Sequence, residues 1–137
     1  MQYSALRILV VDDTQSYVST FTEILANESH EIIAAADGLT GWDRFTCEEP
    51  DLALIDVNMP GMNGLELTAK IKSVTSKSDY SGRWVPVLLM SANASVATQL
   101  EGYRVGCDDF LNKPLDPDIL LAKIAVYQRI IRHICPT

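Results

Sequence analysis

Short apolar runs alternate along this chain with longer stretches in which apolar residues recur every three or four positions. Residues 6–11 are almost continuously apolar and rich in β-branched side chains, and two acids, Asp12 and Asp13, stop the run. Residues 32–36, 52–55 and 85–90 read the same way, and residues 109–112 make a weaker fifth candidate. Runs that are apolar on both faces predict strands of a parallel sheet covered on both sides.

The intervening stretches carry helical spacing. Tyr17, Val18, Phe21, Ile24 and Leu25 form one stripe, with Asp13 or Thr14 as the N-cap. Leu39, Trp42 and Phe45 mark a second helix that Pro50 ends. Residues 65–74 give a third, less regular one. Val96, Leu100 and Tyr103 form a fourth that closes near Gly106. A fifth opens after Pro114, with Asp116 as cap and Pro117 at its first position, and continues to Ile134. Five strands alternating with five helices predict a doubly wound α/β domain with helices on both faces. The polar segment 73–83 has little periodicity and reads as an exposed, mobile loop.

Composition narrows the function classes. With 137 residues, 47% of them hydrophobic, the chain can bury one substantial core. Eighteen acids against eleven Lys and Arg leave a net charge of −7, which disfavours binding to nucleic acid or anionic membrane. No apolar run approaches the ~20 residues that span a bilayer. The opening residues lack a charged and then hydrophobic leader, so the expected location is the cytoplasm. Cys47, Cys107 and Cys135 are odd in number and widely spaced, the pattern of reduced thiols rather than of disulfides or a zinc site. His30 and His133 read as surface residues, and Trp42 and Trp84 as packing residues.

The polar residues that punctuate the strands carry the chemistry. Asp12 and Asp13 end the first strand, Asp56 ends the third, Ser91 follows the fourth and Lys113 follows the fifth. All five fall at the carboxyl edge, where open α/β sheets bind ligands. Unit charges about 4 Å apart repel by ~4 kcal/mol at an effective dielectric near 20. Clustered carboxylates therefore need a proton or a cation, and an all-oxygen donor set suits Mg²⁺. Asp56 stands alone after Ala53, Leu54 and Ile55, which makes it the expected exposed nucleophile. The turn-rich segment after it can fold back so that the backbone carbonyl of Asn58 completes the metal shell.

Ile8-Leu9-Val10-Val11-Asp12-Asp13, Leu54-Ile55-Asp56-Val57-Asn58-Met59-Pro60-Gly61-Met62-Asn63-Gly64, Leu89-Met90-Ser91-Ala92 and Asp109-Phe110-Leu111-Asn112-Lys113-Pro114 together resemble the receiver domains of two-component response regulators. The resemblance covers nearly the whole chain. It implies a chemotaxis-regulator-like fold with the flavodoxin-like strand order 2-1-3-4-5. Asp56 then matches the phosphoacceptor, Asp13 the direct metal ligand and Asp12 the companion acid. Ser91 matches the hydroxyl that bonds a phosphoryl oxygen, Lys113 the family's lysine, and Phe110 the aromatic switch. Asn58 and Ala92 flank the site and are expected to tune the lifetime of the phosphorylated form.

The implied partners are a sensor histidine kinase or histidine phosphotransfer protein. The implied output passes through the face made by the fourth helix, fifth strand and fifth helix. Phe110 lacks the hydroxyl of the commoner Tyr, so a signal there must travel through packing. One receiver domain is expected over 1–137, with a core of about 6–125. Residues 126–137 either cover the lower edge of the core, pack in a homodimer or lead to a fused output domain. The rival enzyme reading is a small Mg²⁺-dependent aspartyl-phosphate phosphatase. Its nucleophile would follow the first strand, with a second Asp two residues on, whereas Asp12 and Asp13 are adjacent.

Overall fold

The structure is a computed structural model that describes residues 4–75 and 84–134. Strands β1 (Arg7–Val11), β2 (Glu31–Ala35), β3 (Leu52–Asp56), β4 (Val87–Ser91) and β5 (Asp109–Asn112) form one parallel sheet in the order β2-β1-β3-β4-β5. Helices α1 (Gln15–Ala26), α2 (Gly38–Glu48), α3 (Gly64–Thr75), α4 (Val96–Arg104) and α5 (Pro117–Ile134) alternate with them. The central strands β3 and β4 are buried at every residue, as continuously apolar runs require in a sheet covered twice. Edge strand β2 alternates between buried and open positions.

Each face of the sheet packs its own core. Leu9, Val11, Ala53, Ile55 and Leu89 point to one side with Phe45 of α2 and Leu67 and Ile71 of α3. Ile8, Val10, Leu54, Leu88 and Met90 point to the other with Phe21 and Leu25 of α1 and Leu120 and Ile124 of α5. The period of two in a strand divides neighbouring residues between these cores.

Short polar side chains fix the helix starts. Asp37 accepts from Thr40 N–H at 2.7 Å, Ser95 accepts from Thr98 N–H at 3.1 Å, and Asp116 accepts from Asp118 N–H at 2.8 Å. Asn63 and Glu66 bond reciprocally at the head of α3, satisfying two amides at once. Thr14 is the cap residue of α1, yet its side chain makes no capping bond; Asp12 Oδ1 accepts from Thr14 N–H at 2.9 Å instead.

Several expectations change. Val96, Leu100 and Tyr103 are 72%, 64% and 49% exposed, so the stripe on α4 faces outward rather than into the core. The helix meets the sheet through Gly102, where a methyl group would lie 3.1 Å from Leu89 Cδ1 and from Phe110 Cδ2. Close approach of backbone to sheet replaced side-chain interdigitation there, and periodicity alone cannot distinguish the two. On α2, Phe45 is buried and Trp42 stacks on it, but Leu39 is exposed.

His30 is buried, not a surface residue: its Nδ1 accepts from Leu6 N–H at 3.0 Å, just before β1 begins. Burial, with Arg132 adding to it, pushes its imidazole below the ordinary value against the pull of Glu28. His133 is exposed. Residues 73–75, read as loop, complete the last turn of α3, and the rest of that segment, 76–83, lies outside the described residues, as does Cys135. Cys47 is exposed and Cys107 buried, both as free thiols. Toward the end of α5, Ile131 is buried while Val126 and Ile130 are exposed. Among the described residues no helix is long and apolar enough to cross a membrane.

Candidate functional site

Parallel register brings four strand ends to one edge. Val11 pairs with Ile55, Asp56 with Met90, and Ser91 with Asn112, so the residues that follow or close these strands stand side by side. Asp12 leaves β1 and is held by two bonds: its own N–H donates to Ala35 O at 3.1 Å, and its Oδ1 accepts from Thr14 N–H. Asp56 is the last residue of β3, and its carbonyl is closely approached by Gly64 at the start of α3. A methyl group at Gly64 would sit 2.3 Å from that oxygen, so only glycine lets the β3–α3 loop close this tightly.

One carboxylate oxygen from each of Asp12, Asp13 and Asp56 lies within 4.8 Å of the other two. Lys113 Nζ donates to Asp12 Oδ2 at 2.6 Å and stands 3.6 Å from Asp56 Oδ2. Three acids against one ammonium leave two uncompensated charges in a space of a few ångströms. Asp12 is fully enclosed and the Lys113 side chain is 6% exposed, whereas Asp13 is open to solvent.

Asp56 departs from the expected exposed group: it is only 5% accessible. Burial pushes its carboxyl above the ordinary 3.8, with Asp12 and Asp13 adding to the rise, while Lys113 and the N–H of Asn58 oppose it. A carboxyl that resists ionisation beside two others is a group in want of a cation. The donors are all oxygens, and one of the three acids still faces water. That set fits a hard divalent ion that keeps part of its hydration, so the cluster could bind a metal.

The surrounding polar groups converge on the same corner. Asn58 N–H donates to Asp56 Oδ1 at 3.3 Å, and its side-chain amide donates to Ser91 Oγ, also at 3.3 Å. Ser91 Oγ accepts a second bond from Asn93 N–H at 3.3 Å and is buried. Ala92 follows it on the surface. Phe110 pairs with Leu89, two residues before Ser91, so both side chains belong to the same face of the sheet. The Phe110 ring is half-buried against the core, 3.1 Å from where a methyl group on Gly102 of α4 would sit. Asp12, Asp13, Asp56, Asn58, Ser91, Ala92 and Lys113 therefore lie at this edge, and Phe110 lies two residues back from the end of β5.

One neighbour escaped the sequence reading. Tyr17 was assigned to the apolar stripe of α1, and its ring does pack beside Phe21, but Lys113 Nζ also sits 4.0 Å from the ring centroid. The only sequence signal was position, since Tyr17 lies in the first turn of the helix that follows Asp12 and Asp13.

Comparison with known proteins agrees with this fold. The profile of the response regulator receiver domain matches residues 8–125. The response regulator PleD of Caulobacter vibrioides is 36% identical over 118 residues, which cover 86% of this chain and 25% of PleD. Protein PilH of Pseudomonas aeruginosa is 32% identical, with 86% of this chain and 93% of PilH covered. The chain thus spans about a quarter of the length of one relative and nearly all of the other. The crystal structure of a CheY-like response regulator receiver domain protein from Methanospirillum hungatei superposes with a TM-score of 0.85 at 28% identity, covering 95% of this chain and 98% of that one. The chain belongs to the response regulator receiver domain family of two-component signalling.

Proposed function

We propose that the chain is a phosphoacceptor switch in which Asp56 takes a phosphoryl group from the phosphohistidine of a sensor kinase or phosphotransfer protein. The observation that carries this reading is the meeting of Asp12, Asp13 and Asp56 within 4.8 Å, with Lys113 Nζ reaching two of them. Asp12, Asp13, Asp56 and the backbone carbonyl of Asn58 are the groups that would hold Mg²⁺. When bound, the ion neutralises carboxylate charge and polarises phosphoryl oxygens.

The transfer is an in-line displacement. An Asp56 carboxylate oxygen forms a bond to phosphorus while the phosphorus–nitrogen bond of the donor breaks, and its electron pair leaves with the imidazole. Lys113 already points at the Asp56 carboxylate and supplies a fixed positive charge to the incoming dianion. Ser91 stands where its hydroxyl can donate to a phosphoryl oxygen once its present bonds from Asn58 and Asn93 rearrange. Water later attacks phosphorus and regenerates the carboxylate. Asn58 and Ala92, both at the solvent side, tune how readily that water arrives.

Phosphorylation then biases a two-state element. Ser91 moves toward the new oxygens, and Phe110 follows into the space it leaves. The face made by α4, β5 and α5 changes shape for an output partner, a fused output domain or a second copy of the domain. Its outward Val96, Leu100 and Tyr103 supply apolar area for such a contact. One receiver domain spans 1–137 in this reading, with 126–137 as the end of the last helix that packs in a homodimer or leads to a fused output domain, and it acts in the cytoplasm.

Intact mass after incubation with acetyl phosphate and Mg²⁺ tests the proposal. The expected result is a gain of one phosphoryl group in the native chain and none in Asp56→Asn. An unchanged mass in the native chain, or equal labelling of the variant, overturns it.

A further inference from the structure

Lys113 has a third partner besides its two carboxylates. Its Nζ lies 2.6 Å from Asp12 Oδ2, 3.6 Å from Asp56 Oδ2 and 4.0 Å from the centroid of the Tyr17 ring. The ring belongs to the first turn of α1 and is held from behind by Phe21, 5.8 Å away and itself buried. Tyr17 therefore stands where water would otherwise solvate the ammonium, and the Lys113 side chain is left only 6% exposed. An ammonium over an aromatic face is attracted by the negative side of the ring, most strongly when water is excluded.

We infer that Tyr17 is a positioning residue for phosphoryl transfer, acting through Lys113, which its ring holds at the transfer site. The inference rests on the proposed role of Lys113. Its physical content is directional. A hydrogen bond to Asp12 ties the ammonium to one oxygen in one geometry, whereas a ring face attracts it over a range of angles. As a dianion arrives on Asp56, Nζ must exchange part of its bonding with Asp12 for a phosphoryl oxygen. The ring lets it pivot without entering water or losing its third contact. Replacing the ring with an aliphatic group lets water in, widens the positions that Nζ samples and slows the transfer. The phenol oxygen has no part in this, so phenylalanine serves as well as tyrosine.

The test compares the native chain with Tyr17→Phe, Tyr17→Leu and Tyr17→Met, each first shown folded by circular dichroism. The rate of phosphoryl uptake from acetyl phosphate at saturating Mg²⁺ is expected to match the native rate in Tyr17→Phe and to fall about tenfold in the Leu and Met variants. A second readout needs neither metal nor donor. Amine acetylation by a small reagent, located by peptide mass spectrometry, is expected to leave Lys113 protected in the native and Phe proteins and to label it in the Leu and Met proteins. Other lysines should react equally in all four. Native-like rates and protection in Leu and Met, or a loss in Phe equal to theirs, overturn the inference. Absence of phosphoryl uptake in the native chain instead overturns the phosphoacceptor reading.

Discussion

The two ends of the sheet both gather charges and treat them in opposite ways. At the amino end, where the strands begin, the charges pair. Arg7 bonds Glu48 at 2.7 Å and approaches Glu31 at 3.4 Å, Arg132 stands 3.6 Å from Asp51, and Lys72 bonds Asp108 at 2.8 Å. Asp108 also accepts from Val87 N–H at 2.8 Å and from the Trp84 indole at 3.3 Å, pinning the start of β4 to β5 and α3. At the carboxyl end three acids meet beside one lysine that reaches two of them, and burial disfavours the ionised form of Asp56. Balanced charge stabilises the fold. Unbalanced charge, kept in place by backbone bonds and by the close packing of Gly64, is what a bound cation would offset.

This contrast can be broken or sharpened by experiment. The largest effect is expected from Asp13→Asn, which removes one charge from the open side of the cluster. Mg²⁺ affinity, followed by calorimetric titration, should fall at least tenfold, since a unit charge about 4 Å away is worth up to ~4 kcal/mol at an effective dielectric near 20. Because Asp13 is exposed, the metal-free melting temperature should barely move. Asp108→Ala should do the reverse. It leaves Lys72, Val87 N–H and Trp84 without their shared acceptor and is expected to cost about 3 kcal/mol in urea unfolding. Phosphoryl uptake by the folded fraction should stay within about twofold of native, as the two ends lie at opposite edges of the sheet.

Smaller effects come from single buried groups. Asp56 holds its proton more tightly in the fold than in the unfolded chain, so its contribution to stability is full below the ordinary 3.8 and is lost as pH rises through the folded value. Metal-free Asp56→Asn should therefore melt a few degrees above the native chain at neutral pH, and the gap should close on acidification below about pH 4. Saturating Mg²⁺ should narrow it from the other direction by raising only the native melting point. His30 carries the opposite sign. Its imidazole is lowered and accepts from Leu6 N–H, so its contribution is present above the ordinary 6.5 and is lost as pH falls toward the folded value. Chemical denaturation between pH 8 and pH 5 should show a modest acid-side loss in the native chain. His30→Gln, which keeps an acceptor but does not titrate, should flatten it.

Strands were the most legible part of this chain. Residues 52–56 and 87–91 are buried on both sides, so nothing in the sequence competes with their apolar run. The convergence of Asp12, Asp56 and Lys113 followed from the same fact, because a parallel sheet carries each strand's last residue to the same edge. Accessibility at that edge was not legible. Asp56 follows Ile55 into the protein instead of rising above it, and only the packing of the β3–α3 loop through Gly64 reveals this. Helix α4 misled for a related reason: an apolar stripe says that some surface is covered, not whether the sheet or a partner covers it. His30 and Tyr17 were hidden because their roles depend on residues 24 and 96 positions away, Leu6 and Lys113, which no local pattern records.

Gly102 carries a consequence for how a signal could leave the domain. A methyl group on that residue would lie 3.1 Å from Leu89 Cδ1 and from Phe110 Cδ2, so no room is left for a side chain between the aromatic ring and the backbone of α4. If the ring turns as proposed above, the backbone of α4 must shift with it. Gly102→Ala would wedge a single methyl group between helix and ring and so obstruct the proposed movement, while every carboxylate at the far side of Ser91 stays where it is.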